Sequence, residues 1–405
     1  MSVFVAILGL AFLILAHEAG HFFVARAVGM RPRKFYLGFP PALVKLHRKG
    51  IEYGIGVIPL GGYVKIPGMH RPSPSDVDVH FGRALGEAPQ LVGATERVKR
   101  RLATSDLGGA KAELPALEKA TGNVALSDDA RRSAERGLSE LHDGLGDDAY
   151  WRQRTWKRVA AILAGPATNF VFAAVLFAVL FMIGGGRATT KVDSVFDAYP
   201  AATAGLQPGD RILAVDGFEV RKPADIPERI AASKGRPIRL VVRRDGRLVE
   251  VGPVRPRAVD GTYRLGFVLA GEDLGVAAAS WEAVKLTGIV TREIGKSLAR
   301  LVQGEGRKDI SSPVGIVQGS SDALDQGFET YLWVLGLISL SLALLNLLPL
   351  LPLDGGHIAF SIVEGFRRRA VRREIYERVS MVGIALVLLL FFIGLSNDIG
   401  RLDGS

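Results

Sequence analysis

The sequence predicts a polytopic α-helical membrane protein: four transmembrane helices with folded polar regions between them. Three observations predict it. Apolar residues make up 48% of 405 positions, mean hydropathy is +0.23, and the apolar residues are gathered in blocks. Two of the blocks run 25 and 23 residues without a charge, where roughly 20 apolar residues suffice to cross the hydrocarbon core. The basic excess, a net charge of +10, clusters beside those blocks, which reports membrane topology rather than nucleic-acid binding. Cysteine is absent. That excludes disulfides, thiol nucleophiles, cysteine-held zinc and iron–sulfur clusters, so any metal must be held by His, Asp, Glu or backbone.

The first block, 2–16, continues as a helix to about Val28 and is interrupted by His17, Glu18 and His21. A cleaved signal peptide is the bland alternative, with Ala25-Arg26-Ala27 as its cleavage site. Met1-Ser2-Val3 offers no basic n-region, however, and a signal core does not carry a His-Glu-x-x-His run. The second block is 159–183 and the third is 331–353. The fourth, 379–396, has 18 uncharged residues and is just long enough.

Orientation follows from Lys and Arg beside the spans. Arg31, Arg33, Lys34, Lys45, Arg48 and Lys49 follow the first. Arg152, Arg154, Lys157 and Arg158 precede the second. Arg367, Arg368, Arg369, Arg372, Arg373 and Arg378 separate the third from the fourth. The positive-inside rule makes all three clusters cytoplasmic and both termini extracytoplasmic, with about 187–327 outside. Residues 187–273 read as a folded module, with a hairpin at Asp245-Gly246 between the β-branched runs 238–242 and 248–251. Residues 71–150 hold no long apolar run and read as a cytoplasmic insertion, partly helical and partly disordered.

The chemistry begins in the first span. His17-Glu18-Ala19-Gly20-His21 is H-E-x-x-H. On a helix, positions i and i+4 share a face, so both imidazoles reach one Zn²⁺. Glu18, beside the first ligand, can take a proton from water activated there. Three ionisable groups in an apolar span are costly and need a compensating function; a helix that ends at Ala16 with a solvated His/Glu turn is the bland alternative, and Phe22-Phe23-Val24 argues against it. A zinc that keeps an open position needs a third protein ligand. The other His are His47, His70, His80, His142 and His357. The outstanding candidate is Asp354, which follows 23 uncharged residues, with a surface turn cap as its bland reading. At about 1.5 Å per residue, His17 and Asn346 each lie roughly 22 Å along their helices. The HExxH face and the 346–354 segment therefore arrive at similar depth.

These residues resemble the site-2 protease family of intramembrane zinc metalloproteases, closest to the bacterial branch, regulator of sigma-E protease-like, that cleaves membrane-bound anti-sigma factors. The resemblance covers most of the chain outside 71–150. It rests on His17-Glu18-Ala19-Gly20-His21 with Phe22, Ala25, Arg26 and Gly29, and on Asn346 through Gly355, which is similar to N-x-x-P-x-x-x-L-D-G. Gly165-Pro166-Ala167-Thr168-Asn169-Phe170 is similar to the second-span motif. Glu52-Tyr53 with Ile58-Pro59-Leu60-Gly61-Gly62-Tyr63-Val64-Lys65 looks like a membrane-associated β-hairpin. Gly205-Leu206-Gln207-Pro208-Gly209-Asp210-Arg211-Ile212-Leu213-Ala214-Val215-Asp216-Gly217 is similar to the core of PDZ domains. Arg264-Leu265-Gly266-Phe267 resembles the PDZ carboxylate-binding loop, and reads equally as an ordinary buried strand end. Pro40 departs from the usual Gly, and the insertion is long for the family.

The resemblance implies one Zn²⁺ per chain held by His17, His21 and Asp354, with Glu18 as catalytic acid/base and Asn346 holding substrate or the oxyanion. It implies regulated intramembrane proteolysis in the inner membrane, acting on single-pass transmembrane substrates such as anti-sigma factors or signal-peptide remnants. The expected order is 1–70 first span and hairpin, 71–154 cytoplasmic insertion, 155–186 second span, and 187–273 an inserted extracytoplasmic PDZ-like α+β domain that takes peptide C-termini and filters bulky ectodomains. Then come 274–330 connector and 331–405 third and fourth spans. The rivals are a catalytically inactive membrane PDZ scaffold and a transporter. Retention of all three ligand candidates and Glu18 opposes the first; too few spans and no paired intramembrane charges oppose the second.

Overall fold

A computed structural model describes residues 1–183, 187–259, 261–307, 310–369, 371 and 373–403. It comprises two compact units. One contains Met1–Phe172, Thr291–Asp322 and Ile338–Ser405; the other contains Ala173–Val290 and Ala323–Leu337.

In the first unit, α1 (Ser2–Ala27) carries no amphipathic pattern; it is apolar on every side, as a lipid-surrounded helix is. Its buried residues nevertheless form one stripe: Leu13, His17, His21 and Ala25 at four-residue steps, joined by Ala6 and Phe22. Phe4, Ile7, Leu8, Phe12 and Phe23, elsewhere on its circumference, are exposed. The stripe that packs on protein is the one that carries both histidines.

β1 (Lys34–Arg48) and β2 (Ile51–Lys65) follow. Sequence placed the hairpin within 52–65; its partner strand is β1, and each strand is used twice. Residues 34–37 pair with 52–55 on one side and with 62–65 on the other, while 42–48 pair with 51–56. Residues 62–65 are therefore an edge, with no second strand beside them among the described residues.

The insertion is ordered, contrary to the expectation of partial disorder. It forms α2 (Pro74–Glu87), α3 (Val92–Ala103), α4 (Leu107–Gly122) and α5 (Asp128–Leu145). Ser73 and Asp76 make a capping box at the start of α2. Asp106 accepts Gly109 N (2.8 Å) at α4, and Ser127 Oγ accepts Ala130 N (3.3 Å) at α5. No long apolar run is needed, because apolar residues recur at helical spacing. Ala130, Ala134, Leu138, Leu141 and Leu145 line one face of α5 and share a core with Phe81, Leu91, Val98, Leu114 and Leu117. α6 (Thr155–Met182) is the second long apolar helix.

The second unit carries β3 (Arg187–Val195), α7 (Pro200–Thr203), β4 (Arg211–Val215), β5 (Phe218–Glu219), α8 (Asp225–Ala232), β6 (Ile238–Arg244), β7 (Arg247–Val254), β8 (Arg257–Val259), β9 (Thr262–Arg264) and β10 (Phe267–Glu272). The sheet order is β10-β3-β4-β6-β7, with β5 on β4; β8 and β9 form a separate ribbon. The β6–β7 turn is at Asp245-Gly246, both at positive φ (48° and 80°), the backbone that a two-residue hairpin turn requires. Alternate residues Ile238, Leu240 and Val242 are buried with Ile212, Val215, Ile226 and Ile230. Buried Asp210 is held by Arg244 Nε and Nη2, both at 2.7 Å.

The chain continues through α9 (Val276–Val302), α10 (Pro313–Gln326), α11 (Phe328–Asn346), α12 (Asp354–Arg367) and α13 (Arg373–Asp403). In the third apolar block α11 stops at Asn346 and 347–353 is irregular, as expected of prolines at 349 and 352, which cannot continue an α-helical ladder. Arg372, read as part of the third basic cluster, lies outside the described residues. Among the described residues, four helices are long and apolar enough to cross a membrane: Ser2–Ala27, Thr155–Met182, Phe328–Asn346 and Ile375–Gly400.

Candidate metal centre

One helical turn of α1 separates His17 from His21 and brings their Nε2 atoms to 3.2 Å. Asp354, the first residue of α12, points its Oδ2 at both, 3.2 Å from His17 Nε2 and 3.4 Å from His21 Nε2. Two ligand atoms at about 2.0–2.1 Å from a tetrahedral ion are about 3.3 Å apart, so this triangle has the edge lengths of three zinc ligands. Asp354 Oδ2 is buried and accepts no hydrogen bond. An orphaned buried carboxylate oxygen facing two imidazoles is what a metal would satisfy. Among the described residues, these three form the one group of three or more His, Asp or Glu whose ligand atoms converge.

The outer nitrogens are also fixed. His21 Nδ1 donates to Ala161 O at 2.9 Å, which leaves Nε2 as the lone-pair nitrogen. The Asn169 side-chain amide lies 3.1 Å from His17 Nδ1. Ligation through His17 Nε2 requires the amide to turn its oxygen to Nδ1–H, which would also employ Oδ1, otherwise without a partner. Asn169 is fully buried, and its backbone carbonyl accepts Ser339 Oγ–H at 2.9 Å.

Close helix packing makes this possible. A Cβ on Gly20 would lie 2.4 Å from Thr168 Oγ1 and 2.5 Å from Ala164 O; a Cβ on Gly165 would lie 2.2 Å from His21 Nε2 and 2.8 Å from His17 Nε2. Only bare backbone lets α6 pass this close to α1 and leaves the space between the imidazoles open. The 165–170 motif carries no evident role in sequence alone. Its glycine forms the floor of the site and its asparagine orients a histidine, and the signal was the motif itself.

Glu18, beside His17 on α1, also lies against the sheet. A Cβ on Gly62 would meet Glu18 Cγ at 2.2 Å and Oε1 at 3.0 Å, so edge segment 62–65 passes directly by this carboxylate. Asn346 Nδ2 reaches 3.5 Å from His17 Nε2 and stands at the rim of the triangle. The other histidines are elsewhere: His47 pairs with Glu52 (2.9 Å), His80 with Glu140 (2.9 Å) and His142 with Glu118 (3.7 Å), His70 packs edge-on against Tyr376, and His357 is hydrogen-bonded to Tyr376.

Glu52 sits on segment 51–56, one strand further from the edge, on the far side of 34–37. Lys34 Nζ (2.8 Å), Tyr36 Oη (2.5 Å) and His47 hold its carboxyl down from 4.5 to about 2. A carboxyl with a lowered folded-state pKa stabilises the fold above its unfolded value and stops doing so as pH falls. Glu52→Gln is therefore expected to cost about 1 kcal/mol at pH 7, solvent screening included. The difference from wild type should vanish between about pH 4.5 and 2. Thermal unfolding in detergent across that range checks it, and a pH-independent difference would contradict it.

Residues 5–390 match the profile of peptidase family M50. The chain is 28% identical over 409 residues to the regulator of sigma-W protease RasP of Bacillus subtilis, covering 96% of each chain. It is 29% identical over 408 residues to the zinc metalloprotease RasP of Bacillus licheniformis, again covering 96% of each. A Mesorhizobium japonicum chain that carries a zinc-metalloprotease name is 30% identical over 409 residues, with 96% of each covered. With the match spanning nearly its whole length, the chain belongs to peptidase family M50 and is a zinc metalloprotease.

Proposed function

We propose that this protease cleaves single-pass substrates within their transmembrane segments, using one zinc per chain held by His17, His21 and Asp354. The observation that carries the reading is the position of Glu18, between a three-ligand metal triangle on a membrane-length helix and an unpaired sheet edge. Zinc supplies Lewis-acid polarisation of the scissile carbonyl and lowers the pKa of bound water. The chain's own residues do the rest. A substrate helix hides its carbonyls in internal hydrogen bonds and must unwind before attack. Residues 62–65 offer backbone N–H and C=O groups to the unwound stretch by strand addition. Glu18 accepts a proton from the attacking water and returns it to the leaving amine. Asn346 donates its side-chain N–H to the developing oxyanion.

The basic clusters support a topology with 31–158 and 367–378 on the cytoplasmic side of the inner membrane and both termini and about 187–327 outside. Residues 187–273 are read as a PDZ-like domain that receives peptide C-termini. The six-stranded sheet with α8 against it supports this, as does the 205–217 stretch that leads into β4. The RasP of B. subtilis is named for regulating sigma-W, so membrane-bound anti-sigma factors are the proposed substrate class.

The test is cleavage of a synthetic transmembrane peptide by purified protein in detergent, with the cut located by mass spectrometry. A cut inside the apolar stretch is expected. Cuts confined to the polar flanks would refute intramembrane cleavage.

A further inference from the structure

The edge that passes Glu18 ends at Lys65, and Lys65 is held by the helical insertion. Asp143 on α5, 6% exposed, accepts Arg33 Nε at 2.8 Å on Oδ1 and pairs with Lys65 Nζ at 2.7 Å on Oδ2. Asp148 pairs with Arg33 through Nη1 at 3.0 Å and Nη2 at 3.3 Å. Two cations and two carboxylates balance. Arg33 and Lys65 are the residues that close the base of the sheet: Arg33 N donates to Lys65 O (2.8 Å) and Glu52 N donates to Arg33 O (2.9 Å). The chain beyond is tied to the same body, since Tyr150 N donates to Pro67 O (2.9 Å) and Trp151 N to Gly68 O (3.1 Å). From Lys65 it is about 10 Å back along the strand to Gly62 and the Glu18 carboxylate.

We propose that Asp143 is a positioning residue for catalysis: through Arg33 and Lys65 the insertion clamps the base of the sheet and so fixes the register in which an unwound substrate pairs beside Glu18. A buried carboxylate shared by two cations is weak evidence for added stability, because desolvation offsets the attraction. What it supplies here is direction. Two neighbouring segments at the base of the sheet, through Arg33 and Lys65, are drawn to one carboxylate, and a free edge is otherwise the part of a sheet most prone to slip. This role rests on the protease reading, while the geometry of the clamp does not.

The experiment uses full-length, zinc-loaded protein in detergent, with Asp143→Asn, the charge-retaining Asp143→Glu, and Lys65→Gln, which leaves the insertion core untouched. Asp143→Asn and Lys65→Gln should speed hydrogen exchange of the 61–66 peptide about tenfold while the 92–120 peptide is unchanged, because the opening is local. Both should raise KM for a transmembrane peptide about fivefold with kcat within about twofold, the pattern of lost substrate positioning. Zinc content should not change, and Asp143→Glu should return KM toward wild type. Unchanged exchange at 61–66 in both variants overturns the clamp. Faster exchange spread over 92–120 in both overturns it too, because Asp143 would then only hold the insertion together. A wild-type protein that binds zinc but cuts no transmembrane peptide would defeat the protease reading instead, and the exchange comparison would still judge the clamp.

Discussion

Glu18→Gln is expected to lower cleavage of a transmembrane peptide by roughly 10²–10⁴-fold, the usual worth of general acid–base catalysis. Zinc should stay near one per chain. Gln has nearly the shape of Glu, so the tight approach of Gly62 to the residue-18 side chain is preserved and the edge segment keeps its path. What is lost is the ability to accept a proton. The proposed ligand triangle is untouched, since its three edges of 3.2, 3.2 and 3.4 Å involve His17, His21 and Asp354 alone. Atomic spectroscopy for metal beside a cleavage assay checks the division of labour. A variant that keeps both zinc and the full rate would overturn the proposed mechanism. One that loses zinc with activity would make Glu18 a ligand and reopen the part of Asp354.

Much of the site was legible in the sequence because its parts are local or chemically conspicuous. The i, i+4 spacing of His17 and His21 fixes their shared face on any helix, and a carboxylate ending a long uncharged run is conspicuous in an apolar segment. The depth arithmetic also placed 346–354 level with HExxH, and Asn346 and Asp354 do meet His17. What escaped is what depends on distant chain. Asn169 reaches His17 across 152 positions, and nothing in the local sequence says which side chain an amide will orient. The double use of β1 and β2, which leaves 62–65 as an edge, is a register property; a hairpin signal alone does not specify it. The insertion was misread because its core is built from alanine and leucine at helical spacing, not from apolar runs. Its anchor, Asp143, is a polar residue that sequence periodicity assigns to a solvated face.

The glycine beneath the imidazoles provides the sharpest structural test. Gly165→Ala adds one methyl group whose carbon would fall 2.2 Å from His21 Nε2, 2.6 Å from His21 Cε1 and 2.8 Å from His17 Nε2. The rings cannot simply swing aside. His21 is tied through Nδ1 to Ala161 O, and His17 faces the buried amide of Asn169. Displacing either ring breaks the outer bond that sets its tautomer, and loss of such a partner alone typically costs 10–100-fold in metal affinity. Here the proposed ligands themselves must also move, so zinc content is expected to fall below about a tenth of wild type, with cleavage lost in proportion. Loss of fold is not the cause to expect: Ala is a better helix former than Gly by about 1 kcal/mol, which offsets part of the local strain. Helical content by circular dichroism should therefore be unchanged. Gly82→Ala is the control, since Gly82 also lies within a helix but a Cβ there meets nothing within 4 Å; it should leave zinc and cleavage as they are. A Gly165→Ala protein that binds zinc and cleaves normally would mean that the metal is not held in the space between His17 and His21, and the ligand triangle would have to be abandoned.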